Sequence, residues 1–161
     1  MTEPLSFVHI ECEVREPLHY TACGLDNIYL ASGYQFRTVG DERYVSIRDV
    51  EDLHETIALA LTRQRKVLSG QEIRFVRKYL DLTQRGLGEL LGVSDQTVAR
   101  YEKDQSPLDG PGDGLLRLLV AEHAGGKVRI REELEKIRAF DDQQSGNLTF
   151  EMTDDEWRSA A

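Results

Sequence analysis

The chain has 161 residues, 40% of them hydrophobic and 30% charged, and a formal net charge of −9, the balance of an ordinary globular chain holding one domain or two small ones. No apolar run approaches the ~20 residues of a membrane span, and the first residues lack a basic stretch leading into an apolar core. Two cysteines, Cys12 and Cys23, are too few for a secreted disulfide scaffold, so the expected setting is a reducing cytoplasm with no membrane partner.

Residues 7–14, FVHIECEV, alternate with Val8, Ile10, Cys12 and Val14 on one face, the pattern of a half-buried strand. NIYLAS, YQFRTV and ERYVSI follow, each short, aromatic or β-branched and bounded by turn residues such as Gly33, Gly40 and Asp41. They predict a small antiparallel sheet of three or four strands across residues 6–47. Ser46-x-x-Asp49 precedes Val50, Leu53, Ile57, Ala60 and Leu61 at helical spacing, so a capped amphipathic linking helix is expected from about 48 to 65. Its apolar stripe suits the sheet or a second subunit. The basic end, Arg63, Arg65 and Lys66, suits either the helix dipole or a phosphate.

Ser69-x-x-Glu72 is a second capping signature, opening a helix with Ile73, Val76 and Leu80 inward. Thr83 is a natural cap for the next helix, with Leu87, Leu90 and Leu91 on one face. Gly92 then marks a sharp turn before Ser94 caps a further helix whose Val98 faces inward. Two short helices crossing this closely need small residues between them, and Gly88 and Ala99 fit that demand. Asp95, Gln96, Thr97 and Arg100 remain exposed. DQSPLDGPGDG reads as a loop, Leu115, Leu116, Leu118 and Leu119 as the closing core helix, and Gly125-Gly126 as its stop. Ile130, Leu134, Ile137 and Phe140 predict one more amphipathic helix. The remainder is acidic, with Leu148, Phe150 and Trp157 as its sizeable anchors; it is expected to dock loosely, with one strand at LTFEM.

The stretch LSGQEIRFVRKYLDLTQRGLGELLGVSDQTVARYEKDQSPLDGPGDGLLRLLV, from Leu68 onward, resembles the helix-turn-helix unit of the XRE (Cro-like phage-repressor) family. That resemblance implies phosphate contacts from Gln84 and Thr97, with Lys103 near the DNA backbone, and base reading by Asp95, Gln96 and Arg100. It also implies an internal ion pair between Arg77 and Glu102. Gly86 and Gly88 depart from the family's pattern, because a glycine inside a helix costs roughly 0.5–1 kcal/mol relative to alanine. Asp95 departs too: a carboxylate facing phosphates helps only where it accepts from a cytosine amino group. The expected architecture is α+β, with a small antiparallel N-terminal sheet and linking helix over residues 1–66. An all-α repressor-type helix-turn-helix follows over 67–124, then a helix and acidic C-terminal extension over 125–161.

Charge distribution fits a DNA partner. Residues 60–103 carry 9 basic and 5 acidic side chains, net +4, whereas residues 1–59 carry 4 and 11 and residues 104–161 carry 7 and 13. The only net-positive segment is therefore the one with the motif. His9, Cys12, His19 and Cys23 are weak metal candidates, since their spacing is loose and residues 9 and 12 fall on opposite faces of a strand. No cofactor is expected. No nucleophile elbow, phosphate loop or metalloprotease motif occurs, so no enzymatic role is expected. The function so implied is that of a homodimeric transcriptional repressor on an inverted repeat. The layout is similar to that of the MqsA-type antitoxins without their zinc-binding cysteines, which makes an autoregulating antitoxin with a toxin protein as partner the alternative. An interaction adaptor that has lost DNA binding is a third.

Overall fold

The structure, a computed structural model, describes residues 16–125 and 146–160. Strands β1 (Leu18–His19), β2 (Ile28–Leu30), β3 (Tyr34–Val39) and β4 (Glu42–Ile47) come first. Helices α1 (Val50–Gln64), α2 (Gly70–Tyr79), α3 (Gln84–Leu91), α4 (Asp95–Glu102) and α5 (Gly110–His123) follow, and β5 (Leu148–Thr153) and β6 (Glu156–Ser159) close the described chain. The mixed α+β class is as expected. The strand expected at 7–14, the helix expected around Ile130–Phe140, and both His9 and Cys12 lie outside the described residues.

The strands sort differently from the single antiparallel sheet anticipated. Among the described residues a four-stranded sheet runs in the order β1-β2-β5-β6, while β3 and β4 pair with each other alone. β2 and β5 are parallel, with Ile28 opposite Leu148 and Leu30 opposite Phe150. β2 is thereby paired on both edges, by β1 and β5, and its Ile28 and Leu30 are wholly buried. Alternation announces a strand without naming its partner, and this partner lies far away. Ser32 Oγ accepts the Met152 N–H at 2.7 Å across 120 residues.

The acidic terminal stretch is therefore built into the core rather than loosely docked. Phe150 is fully buried and Trp157 nearly so. The Trp157 indole N–H donates to Arg48 O (3.0 Å) and its backbone N–H to Asp52 Oδ2 (2.9 Å). Its ring lies against Gly33, where φ is +79° and an added Cβ would sit 2.5 Å from the indole. A side chain there would be both strained and obstructed.

Helix α1 begins at Val50, later than the Ser46-x-x-Asp49 box announced, because Ser46 belongs to β4. Asp49, at φ 42°, is the N-cap and accepts from Asp52 N at 3.2 Å. Leu53, Ile57, Ala60 and Leu61 all turn into the core, leaving Val50 as the exposed member of the stripe at 39%. Arg65, just past the helix, is also buried. It forms an ion pair with Glu72 at 3.6 Å and donates to Gly146 O, so it serves the fold rather than a phosphate. Helix α5 begins earlier than expected: Asp109 caps it, accepting from Gly112 N at 3.0 Å, and Pro111 fits its first turn. Among the described residues no helix is long and apolar enough to cross a membrane.

Candidate nucleic-acid interface

Helices α3 and α4 form the helix-turn-helix pair. Thr83 caps α3 by accepting from Gly86 N (2.9 Å), and Ser94 caps α4 by accepting from Thr97 N (3.1 Å). Between them Gly92 takes φ 72°, a left-handed conformation that closes α3 with little strain only for glycine. Leu87 and Val98, both fully buried, fill the angle between the two helices. Gly88 stands at the crossing, where a Cβ would meet Val93 O at 2.6 Å. Gly88→Ala is therefore expected to destabilise the fold by about 1–3 kcal/mol despite the better helix propensity of alanine. Thermal melts of the variant and the parent check this, and equal midpoints would contradict the close crossing.

The opposite side of α4 is open. Asp95, Gln96, Arg100 and Lys103 are exposed and Thr97 is half-buried. Gln96, Arg100 and Lys103 follow one another at intervals of four and three residues, so they form one stripe facing away from buried Val98 and Tyr101. Asp95 lies at the edge of that stripe and accepts from Gln96 N at 2.8 Å, its charge placed at the positive end of the helix. Thr97 Oγ1 lies 2.9 Å from Ser94 Oγ.

The far end of α4 is anchored by charge. Arg77 on α2 meets Glu102 with Nε to Oε1 at 2.5 Å and Nη2 to Oε2 at 3.3 Å, the side chains 11% and 5% exposed. Arg77 Nη1 also donates to Leu82 O at 2.7 Å. Gln84 Nε2 donates to Glu102 Oε2 at 2.9 Å, so the first residue of α3 is tied to the last of α4. Burial alone would raise the Glu102 pKa. The hydrogen bonds from Arg77 and Gln84, with the charges of Arg77 and Arg74, outweigh it and hold the carboxyl below its ordinary value.

Three contacts here were not legible beforehand. Asp104, at φ 55°, reaches back so that its Oδ1 accepts the Gly70 N–H at 2.7 Å. Gly70 packs so closely on the end of α4 that a Cβ would lie 2.6 Å from Glu102 O. Arg117 on α5 is buried, bonding Asp113 at 2.7 and 3.1 Å while donating to Thr62 O (2.6 Å), Arg65 O (2.8 Å) and Lys66 O (3.1 Å). It thereby caps the carbonyls at the end of α1. The Asp113–Arg117 spacing was the one available signal, and it reads equally as a surface pair.

His19 and Cys23 do not converge. His19 Nε2 lies 2.7 Å from Asp26 O and its ring stacks on Tyr29, whereas Cys23 Sγ donates to Tyr20 O at 3.6 Å. Burial pushes the Cys23 thiol up, the reverse of what a nucleophile needs. Among the described residues no group of three or more His, Cys, Asp or Glu side chains is placed to hold a metal ion. His54 packs edge-on against Phe75 with Nε2 3.0 Å from Tyr20 OH, and burial pushes its pKa down.

Residues 73–110 match a family model described as helix-turn-helix. The match begins within α2, spans α3 and α4, and ends at the first residue of α5. No curated protein and no solved structure matches the chain.

Proposed function

Residues 73–110 being a DNA-binding helix-turn-helix of the XRE type, we propose that the chain is a sequence-specific transcriptional repressor that binds an inverted-repeat operator as a dimer. The observation that carries this reading is the outward stripe of α4. Gln96 and Arg100 are exposed on a helix whose other side is buried and whose two ends are fixed by a cap and an ion pair. Such a helix enters the major groove with its shape already set.

The roles then divide by chemistry. Arg100 offers a guanidinium fork to guanine and Gln96 an amide to adenine, while Asp95 accepts from cytosine. Lys103 and Thr97 lie near phosphates and position the helix without reading sequence. Gln84 gives one amide hydrogen to Glu102; its second remains for a phosphate oxygen. A two-fold dimer would set two α4 helices roughly 34 Å apart, one turn of duplex.

Arg100→Ala and Gln96→Ala are each expected to weaken binding to the preferred operator by about 1–3 kcal/mol and to relax base preference at the contacted position. Lys103→Ala should instead weaken binding to all sequences alike and reduce the salt dependence by about one counterion. Titrations on operator and scrambled duplexes at several salt concentrations separate the two classes. Parent-like binding by both Arg100→Ala and Gln96→Ala would remove α4 as the reading helix.

A further inference from the structure

The β3–β4 hairpin is the part of the described chain least accounted for by the fold. From Gln35 to Val45 every residue is exposed, and among the described residues the two strands pair with no third. A free two-stranded ribbon is marginally stable in water. Yet this one displays large apolar side chains: Val39 is 68% exposed, Tyr44 50%, Val45 43% and Phe36 40%.

The register divides these between two faces. Phe36 opposite Val45 and Thr38 opposite Arg43 belong to one, with the Arg43 guanidinium 3.8 Å over the Phe36 ring. Tyr34, Phe36 and Arg43 also border a groove walled by residues 16–19, so this face is turned toward β1. The other face presents Gln35 opposite Ser46, Arg37 opposite Tyr44, and Val39 opposite Glu42. The Tyr44 hydroxyl donates to Glu42 on the same strand. Arg37 has no carboxylate partner among the described residues.

We propose that this second face is where two copies of the chain meet, in a two-fold pairing of the hairpins. The argument is charge complementarity of the face with itself. When two such faces are stacked about a two-fold axis parallel to the strands, β3 of each copy lies over β4 of the other. Arg37 then comes over Tyr44 of the second copy, with that copy's Glu42 one pleat away. Each arginine gains an aromatic face and a carboxylate, the Val39 side chains are covered, and the same pair of contacts occurs twice. The hairpin leads into the start of α1, whereas α4 packs on α2, so the pairing uses none of the outward residues of α4. This inference rests on the dimeric reading above and supplies its interface.

Sedimentation equilibrium of the full chain over a concentration series up to about 1 mM tests it, with operator half-site binding measured in parallel. The parent is expected to show a monomer–dimer equilibrium. Arg37→Glu and Glu42→Arg should each shift the dissociation constant upward at least tenfold, and the Arg37→Glu/Glu42→Arg double variant should return it toward the parent value. All variants should bind a single half-site like the parent, since one α4 suffices for that. A parent that stays monomeric throughout overturns the proposal and leaves the hairpin to a partner of different sequence. A parent dimer indifferent to both single charge reversals overturns it too, and places the interface elsewhere. Loss of half-site binding by the parent itself would instead count against the DNA reading.

Discussion

Glu102→Ala is expected to cost about 3–5 kcal/mol of folding stability and to lower the melting temperature by on the order of 10 °C. The pair it breaks is nearly dry, with Glu102 5% and Arg77 11% exposed at the side chain. Removing the carboxylate leaves a guanidinium in low dielectric and an amide on Gln84 without its acceptor. Glu102→Gln keeps oxygen and shape and loses the charge, so it should fall between. An exposed pair would contribute at most about 1 kcal/mol, and a variant that melts within a degree or two of the parent would mean that water reaches this one.

The same group gives stability a pH dependence of definite sign. The Glu102 carboxyl titrates below its ordinary 4.5 in the folded chain. Above that value both states are ionised and the full contribution is present. As the pH falls from about 4.5 through the depressed folded value, the unfolded chain takes up the proton first and the contribution is lost. The difference in stability between parent and Glu102→Ala should therefore shrink in acid, and a gap that stays constant below pH 4 would contradict the assignment.

Trp157→Ala is the second large effect, again about 3–5 kcal/mol, since it empties the space between Gly33 and the start of α1 and strips Arg48 O of its donor. Trp157→Phe retains most of the ring and loses only that hydrogen bond, for an expected cost of about 1–2 kcal/mol. Urea unfolding of the two variants distinguishes packing from hydrogen bonding. Equal small losses in both would mean that the ring is not held as the structure shows it.

How much was readable beforehand follows from the range of each interaction. Local signals served well: Ser69 and Glu72 form the reciprocal cap that their spacing announced. Strands β3 and β4 begin and end where turn residues bound them. The stripe of α1 is buried at the intervals its sequence displays. The Arg77–Glu102 pair, implied by resemblance, is present and enclosed. Long-range pairing was not readable, because nothing in IYL says that LTFEM will lie beside it. For the same reason an acidic stretch with three apolar residues read as a loose tail, when those three, Leu148, Phe150 and Trp157, are all core. On the α4 side, residue types and spacing placed Asp95, Gln96 and Arg100 outward, as they are, but also Thr97, which is half-buried. The tether from Gln84 to Glu102 and the reach of Asp104 to Gly70 depend on side-chain conformations that only the assembled helices select.

The parallel seam between β2 and β5 has a consequence for how the protein is made. Ile28 and Leu30 leave the ribosome some 120 positions before Leu148 and Phe150, a wait on the order of ten seconds at translation speeds of about 5–20 residues per second. Helices α1 to α5 can form in that interval, but the nascent polypeptide must carry a naked β2 edge and an unfilled apolar slot along α1 until β5 and β6 emerge. The helix-turn-helix is thus complete while the sheet still waits for its β5 and β6 strands.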